Sequence, residues 1–470
     1  MSGLYSSLNA SVNALGAQSR ALETAGKNLA NVNNPNYARQ RVLLGSLGTI
    51  QTAQGPESMG VTVLAVQQMR DTLLDQQVTR EQSLTAGYIA EQQGYQRAQA
   101  GLGQSIDSTQ NAGGASSTSD NGVAAALDDF FNAFQSLAAS PTDQGQRQAL
   151  LQTTSILTDR IRLADRRLGQ VSSDLDTQIN TDVGTTNRLL ETIAGLNNQI
   201  ARLEINNPGT AVDLRDQRQA DLEQLAAKMP VELRTAAAGQ AQLFSKDSAG
   251  ADVLLVDGFN VRGLITFTGT QITGGLPATV LALGAGSIQG SLTARDGAVQ
   301  EIRDNLDQLS AQLVTSVNAA YNPTGATGNF FDPAGTKSET LALASGINRT
   351  TLKASDGGAA GDNTVALAIA QLATRKFSTA GGDAIDGTFG GFFATAVSSL
   401  GQAVAGATAR VTDQSNIELL VRTQRDGVSG VSLDEETAAL LKYQRAFQAS
   451  ARVFSTIDNL LDTVVNRLGA

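Results

Sequence analysis

The side chains that most often carry chemistry near neutral pH are missing from this 470-residue sequence, which contains no histidine, no cysteine and no tryptophan. Imidazole bases, thiolate nucleophiles and zinc sites built from either are therefore excluded. A Ser/Lys or paired-carboxylate enzyme would pass that filter, as would a magnesium or calcium site made of oxygen ligands. No carboxylate spacing singles out such a site, and Asp213, Arg215 and Asp216 have the spacing of ordinary ion pairs on a helix. Catalytic, cofactor and metal sites are all expected to be absent, and the chain reads as a non-enzyme. Charge excludes a further class: 34 Lys and Arg against 44 Asp and Glu give a net charge of −10, with the cations interspersed among acids. A nucleic-acid surface needs clustered cations facing phosphates, so no nucleic-acid partner is expected.

What the sequence does contain is periodicity at both ends. Met1, Tyr5, Leu8, Val12, Leu15, Ser19, Leu22, Gly26 and Leu29 recur at alternating steps of four and three, and so do Leu440, Tyr443, Phe447, Ser450, Phe454, Ile457, Leu461, Val464 and Leu468. A 3.5-residue apolar period is what knobs-into-holes packing requires, so each terminus presents a seam for another helix. Ser432 followed by Leu433, Asp434 and Glu435 is a capping box that starts the last helix. The first helix is expected over 2–31 and stops at Asn33-Asn34-Pro35-Asn36, where Pro35 disfavours helix at Asn34 and Asn36 can take a left-handed conformation.

Between these ends the pattern changes several times. Residues 37–66 read as short strands, 71–102 as helix, and 104–122 as a polar surface loop. Leu127, Phe130, Phe131, Phe134 and Leu137 line one side of a helix that ends before Pro141 and belong to a core. Helical periodicity continues over 142–204 and 213–229, separated by Asn206-Asn207-Pro208-Gly209, as in an antiparallel bundle. Pro230 opens a segment rich in Thr, Val, Leu and Gly whose alternation suits short antiparallel strands, and helix is expected to resume near Ala294. The last two helices, 392–426 and 433–468, are separated at Gly427–Gly430. The expected architecture is mainly α with a smaller β insertion: terminal helices paired as a coiled coil, a helical-bundle middle and an outward-projecting β domain. The expected boundaries are 1–66, 67–229, 230–293, 294–391 and 392–470. No apolar run approaches the length of a membrane span, and residues 1–18 lack the basic and continuous apolar regions of a secretory signal. No membrane partner is expected.

Ala30-Asn31-Val32-Asn33-Asn34-Pro35-Asn36-Tyr37-Ala38-Arg39-Gln40, set directly after the N-terminal heptads, resembles the signature of bacterial flagellar axial proteins. The family's common form ends in Thr-Pro-Gly-Tyr; here Asn34 and Asn36 stand for the Thr and Gly and keep the turn chemistry. Ser429 to Glu436, continuing through Leu441 to Arg452, resembles the same family's C-terminal signature. The segments Phe130 to Ala138 and Asp213 to Arg218 are similar to parts of the hook-associated protein 1 family, which sits between hook and filament. The resemblance implies a structural axial protein, exported unfolded by the flagellar type III route, extracellular at the hook-filament junction. Its implied partners are copies of itself in a ring or tube, the hook protein, hook-associated protein 3 or filament-side subunits, and an export chaperone at the C-terminus. The assembly seam would be Leu8, Val12, Leu15, Leu22, Leu29, Leu440, Phe447, Phe454, Ile457, Leu461, Val464 and Leu468. The family turn would be carried by Asn31, Pro35, Tyr37 and Arg39. By residue type alone, Arg39 and Arg41 either pair with acids of a neighbour or stand as solvated charges. Another axial component (rod, hook or hook-associated protein 3) and a secreted adhesin or effector with coiled-coil termini are the alternatives.

Overall fold

Helix starts and stops follow this punctuation closely in the computed structural model, which describes all residues except 1, 53–54, 103–121, 236–240, 326–327, 358, 360 and 464–470. Three seam positions, Met1, Val464 and Leu468, and most of the loop expected over 104–122 lie outside the described residues. Helix α1 (Ser2–Ala30) ends at the Asn/Pro turn. A bent antiparallel hairpin follows, made of β1 (Gln40–Ser46), β2 (Thr49–Thr52), β3 (Gly55–Ser58) and β4 (Val61–Gln68). Strand β1 pairs with β4 through a register shift at Leu43/Leu44, and β2 pairs with β3 at the tip. Helices α2 (Thr72–Leu102), α3 (Val123–Ala139), α4 (Gln144–Leu203) and α5 (Val212–Lys228) come next.

Among the described residues, seven short strands follow Pro230. Strands β5 (Glu232–Thr235), β6 (Ala241–Lys246), β7 (Asp252–Asp257) and β8 (Asn260–Val261) form one antiparallel sheet in chain order. A second sheet joins β9 (Thr266–Phe267), β10 (Ile272–Gly274) and β11 (Thr279–Val280). Helix then resumes sooner than Ala294, as α6 (Gly286–Ala294), and passes through a π-helical turn over Arg295–Val299 into α7 (Gln300–Tyr321). The reason for the early restart is tertiary. Gly290 lies so close to Gly87 of α2 that a Cβ would sit 2.0 Å from the Gly87 carbonyl oxygen, and Ile288 and Ala294 are fully buried. The remaining helices are α8 (Thr364–Gln371), α9 (Phe389–Ser429) and α10 (Leu433–Asp462). Helix α9 runs through Gly427, and Gly430 ends it, its N–H bonding the Asp426 carbonyl at 2.7 Å.

The chain divides into two compact units, each built from separated stretches. One comprises residues 86–182 and 287–413, the other residues 1–85, 183–286 and 414–470. The first is helical around one apolar core. Phe130 sits at its centre with no exposed surface, in edge contact with Phe131 and Phe134 at 5.1 Å and near Phe330 and Phe331. Such ring pairs add to the burial of their large apolar area. Arg295 reaches Asp176 at 2.5 Å and Arg303 reaches Asp165 at 3.1 Å, so α7 runs antiparallel to α4.

The second unit holds α1, the hairpin, α5, both small sheets and α10. The β region expected to project from the helical middle thus groups with both termini. Its hold on them begins at α5, whose Glu223 is bridged by Arg422 and Arg425 of α9. The strands pack on Leu243, Leu255, Val256, Ile265 and Ile272, and Asn187 of α4 clasps the Ile265 backbone through its N–H and carbonyl.

Candidate functional site

The last turn of α1 meets the first turn of α10, so the terminal helices lie side by side and antiparallel. Sequence alone suggests which residues should face inward, and the tertiary structure distributes them differently. Leu8, Leu15, Leu22 and Leu29 are half-buried, and Val12 is 49% exposed. The buried positions on α1 are instead small or polar: Ser11, Ala17, Ala21, Thr24, Ala25 and Asn28. Helix α1 has two neighbours, α10 and the β1/β4 hairpin, and short side chains let both approach. Gly60 of the hairpin lies against α1, where a Cβ would come within 3.0 Å of the Ala10 Cα, and Ser6 Oγ donates to Glu57 at 2.6 Å. On α10, Leu440, Tyr443, Ser450, Phe454 and Ile457 form a half-buried line ending at Leu461, which is 9% exposed, while Phe447 is 40% exposed.

Asn28, 2% exposed, organises the crossing. Its Nδ2 donates to the Gln40 carbonyl at 2.9 Å and to Glu436 Oε2 at 3.0 Å, while its Oδ1 accepts from the Gln40 N–H at 2.9 Å and the Tyr37 hydroxyl at 2.8 Å. Arg39 completes it, with Nε on Glu436 Oε1 at 2.7 Å, Nη1 on Glu435 at 2.5 Å and its own N–H on the Ser429 carbonyl at 2.8 Å. Of the two readings for Arg39, a neighbour's acid or plain solvation, neither holds within this chain: its acids lie at the other end of the same chain. Burial works against the Arg39 charge, but Glu436 and Glu435 outweigh it and hold the guanidinium more firmly protonated. Burial, with Asp216, Asp213 and Glu436 nearby, pushes the Tyr37 phenol up, so it stays a donor to Asn28.

The turn itself is closed by Asn34, whose Oδ1 accepts the Asn36 N–H at 3.2 Å. Asn36 does not take the left-handed conformation: among the described residues only glycines have positive φ. The side-chain amide closes the turn locally, which removes the need for that backbone state. Asn31 Nδ2 caps the Lys27 carbonyl at 2.9 Å, and the Pro35 carbonyl accepts from Arg425 at 3.5 Å.

Helix α5 brings the third motif. Asp216 Oδ1 accepts from the Ala38 N–H at 3.3 Å and from Arg70 at 2.7 Å, Asp213 accepts from Gln40 at 3.1 Å, and Arg70 also grips Asp75. Burial raises the Asp75 and Asp216 carboxyls above their usual range, against the pull of Arg70. Arg425 and Glu223, both nearly inaccessible, pair at 2.6 Å. Residues 28–40, 213–216 and 425–436, far apart in sequence, therefore form one polar hub. Asn28, Arg70, Glu223 and Glu436 were not legible as members of it. The available signal was a polar residue continuing an alanine line on α1 and a second acid beside the capping box.

Beside the hub, Arg215 holds Glu204 at 2.6 Å. Burial alone would raise the Glu204 carboxyl, but Arg215 and the N–H groups of Gly209 and Ala211 outweigh it and bring it down to about 2. A carboxyl depressed on folding stabilises above its unfolded value and loses that contribution as pH falls toward the folded one. We expect about 1–2 kcal/mol of stability from this group, present above about pH 4.5 and lost progressively toward pH 2. Glu204→Gln should remove that part of the acid dependence in urea titrations, and an unchanged acid limb would contradict the assignment.

Residues 110–331 match the family described as the flagellar hook-associated protein FlgK helical domain, and residues 426–468 match the flagellar basal body rod FlgEFG protein C-terminal family. The flagellar hook-associated protein 1 of Bacillus subtilis is 26% identical over an alignment spanning 100% of this chain and 99% of that protein. That of Escherichia coli is 24% identical over 98% and 100%. Over its whole length the chain is similar to flagellar hook-associated protein 1. The fold agrees: the flagellar hook junction protein FlgK from Burkholderia pseudomallei superposes with a TM-score of 0.61 at 13% identity, covering 75% of this chain and all of that one. The helical-domain match spans α3 to α7, and the rod-protein C-terminal match spans α10 with the end of α9. Among the described residues no helix is long and apolar enough to cross a membrane, and no group of three or more His, Cys, Asp or Glu is placed to hold a metal.

Proposed function

We propose that this chain is a structural axial subunit of the bacterial flagellum that joins the hook to the filament. The observation that supports it best is the hub, which ties the N-terminal turn signature to the C-terminal signature and so sets both terminal helices as one antiparallel pair. The half-buried leucines of α1 and the partly open face of α10 are the surfaces such a pair offers to further helices. In this reading the seam from Leu8 to Leu29 and from Leu440 to Leu461 closes as a coiled coil with copies of the chain, in a ring or tube, with hook protein below and filament-side subunits above. Contacts of that kind are heterologous, and their apolar area is withheld until neighbours arrive. Export as an unfolded chain, with a chaperone at the C-terminus, completes the reading.

Deleting the gene tests the role. Bare hooks by electron microscopy, with monomeric flagellin lost to the medium, are expected. Normal filaments would instead favour a secreted adhesin or effector, and loss of the hook a rod or hook component. The C-terminal match, described for rod proteins, is the specific observation on the side of that last alternative.

Leu461→Asp tests the seam. A carboxylate at this buried position in place of a leucine, whose burial is worth about 1.5–3 kcal/mol, opposes helix packing while the aromatic core around Phe130 lies elsewhere in the chain. Complementation of the deletion should fail to restore filament attachment although near-ultraviolet circular dichroism of the purified protein stays native-like. Normal attachment would remove Leu461 from the seam.

A further inference from the structure

A cleft of about 1080 Å³ lies beside the hub, walled by the first turns of α2, one face of α5 and the strand after Pro230. Five arginines line it: Arg70, Arg80, Arg215, Arg218 and Arg234. Four are committed to acids of this chain, Arg70 to Asp75 and Asp216, Arg80 to Glu81, Arg215 to Glu204, and Arg234 to Glu232 and Asp252. Arg218 is not. Its one hydrogen bond among the described residues runs from Nη1 to the neutral Asn197 Oδ1 at 2.9 Å, and no described acid pairs with it. A half-buried guanidinium without a carboxylate of its own, beside arginines whose acids are already engaged, is an unfavourable arrangement. Burial first, then Arg215, with a smaller effect of Arg70, brings the Arg218 group down to about 10 against the opposing attraction of Glu204, which is itself bound to Arg215.

A second group lining the cleft, on α2, lacks a partner. Ser83, 1% exposed, lines the cleft, and its Oγ is buried with no hydrogen-bond partner. Buried hydroxyls are almost always satisfied, so a donor left open in the cleft that also holds Arg218 marks a missing acceptor. The forked guanidinium is suited to a planar two-oxygen acceptor, and a hydroxyl donor complements it.

We propose that this cleft binds a carboxylate, received by Arg218 with Ser83 as the accompanying donor. A free polycarboxylate and an acidic side chain of a second copy of this acidic chain share that chemistry. Citrate is the probe. Calorimetric titration of the full chain at neutral pH should give a saturable heat that weakens at least tenfold in Arg218→Gln, weakens in Ser83→Ala, and is partly kept by Arg218→Lys. Because Arg218 pairs with no acid, the melting temperature of Arg218→Gln without citrate should be unchanged or raised. If that variant does not fold, Ser83→Ala and Arg218→Lys carry the comparison. Sedimentation separates the two sources. Citrate that dissociates self-associated wild type, but not Arg218→Gln, assigns the carboxylate to a second copy; citrate that binds without changing association assigns it to a free polycarboxylate. No saturable heat with the wild type, or equal binding by Arg218→Gln, overturns the proposal.

Discussion

Glu436→Ala should lower the stability of the unit that contains the termini by about 3 kcal/mol, read as a fall in the urea midpoint at unchanged slope. The substitution leaves Arg39 Nε without its acceptor and removes one of the two acceptors of Asn28 Nδ2, which keeps the Gln40 carbonyl, at a site that is 2% exposed. Removing one partner of a buried pair strands the other, which costs about 3–5 kcal/mol, and the remaining Glu435 contact of Arg39 brings the expectation to the lower end. Two comparisons isolate the cause. Glu435→Ala removes an exposed partner and should cost less than about 1 kcal/mol. Glu436→Gln keeps an acceptor for Asn28 but not the charge, and should fall between the two. Equal losses from Glu435→Ala and Glu436→Ala would show that Glu436 does not organise the crossing. The variant also bears on assembly, since the same carboxylate sets the first turn of α10 against the last turn of α1. A stable, folded Glu436→Ala chain that restores filaments fully would separate the hub from assembly.

Phe130→Ala should cost about 4 kcal/mol in the helical unit of residues 86–182 and 287–413. The ring has no exposed surface and contacts four other rings drawn from residues 131, 134, 330 and 331. Its loss removes the transfer free energy of a large side chain and leaves a cavity whose walls belong to neighbouring aromatic rings, which collapse poorly because each is fixed by the others. Phe130→Leu, which fills much of the space, should cost less than half as much. Denaturation followed by near-ultraviolet circular dichroism reads this unit through Tyr321, buried beside Phe330. A loss below about 1 kcal/mol would mean that the cluster is not the core of its unit.

Much of the local structure was legible because it is set by residues near each other in the chain. Asn33-Asn34-Pro35-Asn36 ends α1, Ser432 with Asp434 and Glu435 starts α10, and the apolar spacing around Phe130 makes α3 and its inward face. Each depends on a few neighbouring side chains and the backbone groups within their reach, so one stretch of sequence contains the whole cause. The restart of helix at Gly286 was less legible. It depends on a glycine contact with Gly87, about two hundred residues earlier, and helical spacing does not encode where a distant backbone will come close.

The candidate site divides along the same line. By itself the sequence determined that the termini are amphipathic helices, where the family turn lies, and that the chemistry of histidine and cysteine is excluded, since composition and period are properties of the chain alone. Only the tertiary structure decided that α1 turns Ala17, Ala21 and Asn28 inward, because a heptad records which positions are apolar but not how many neighbours a helix must accommodate. It also decided that Arg39 pairs with Glu435 and Glu436 of its own chain. Ionic partners are chosen by distance in space, and residues 39 and 436 become neighbours only when the two ends of the fold are brought side by side.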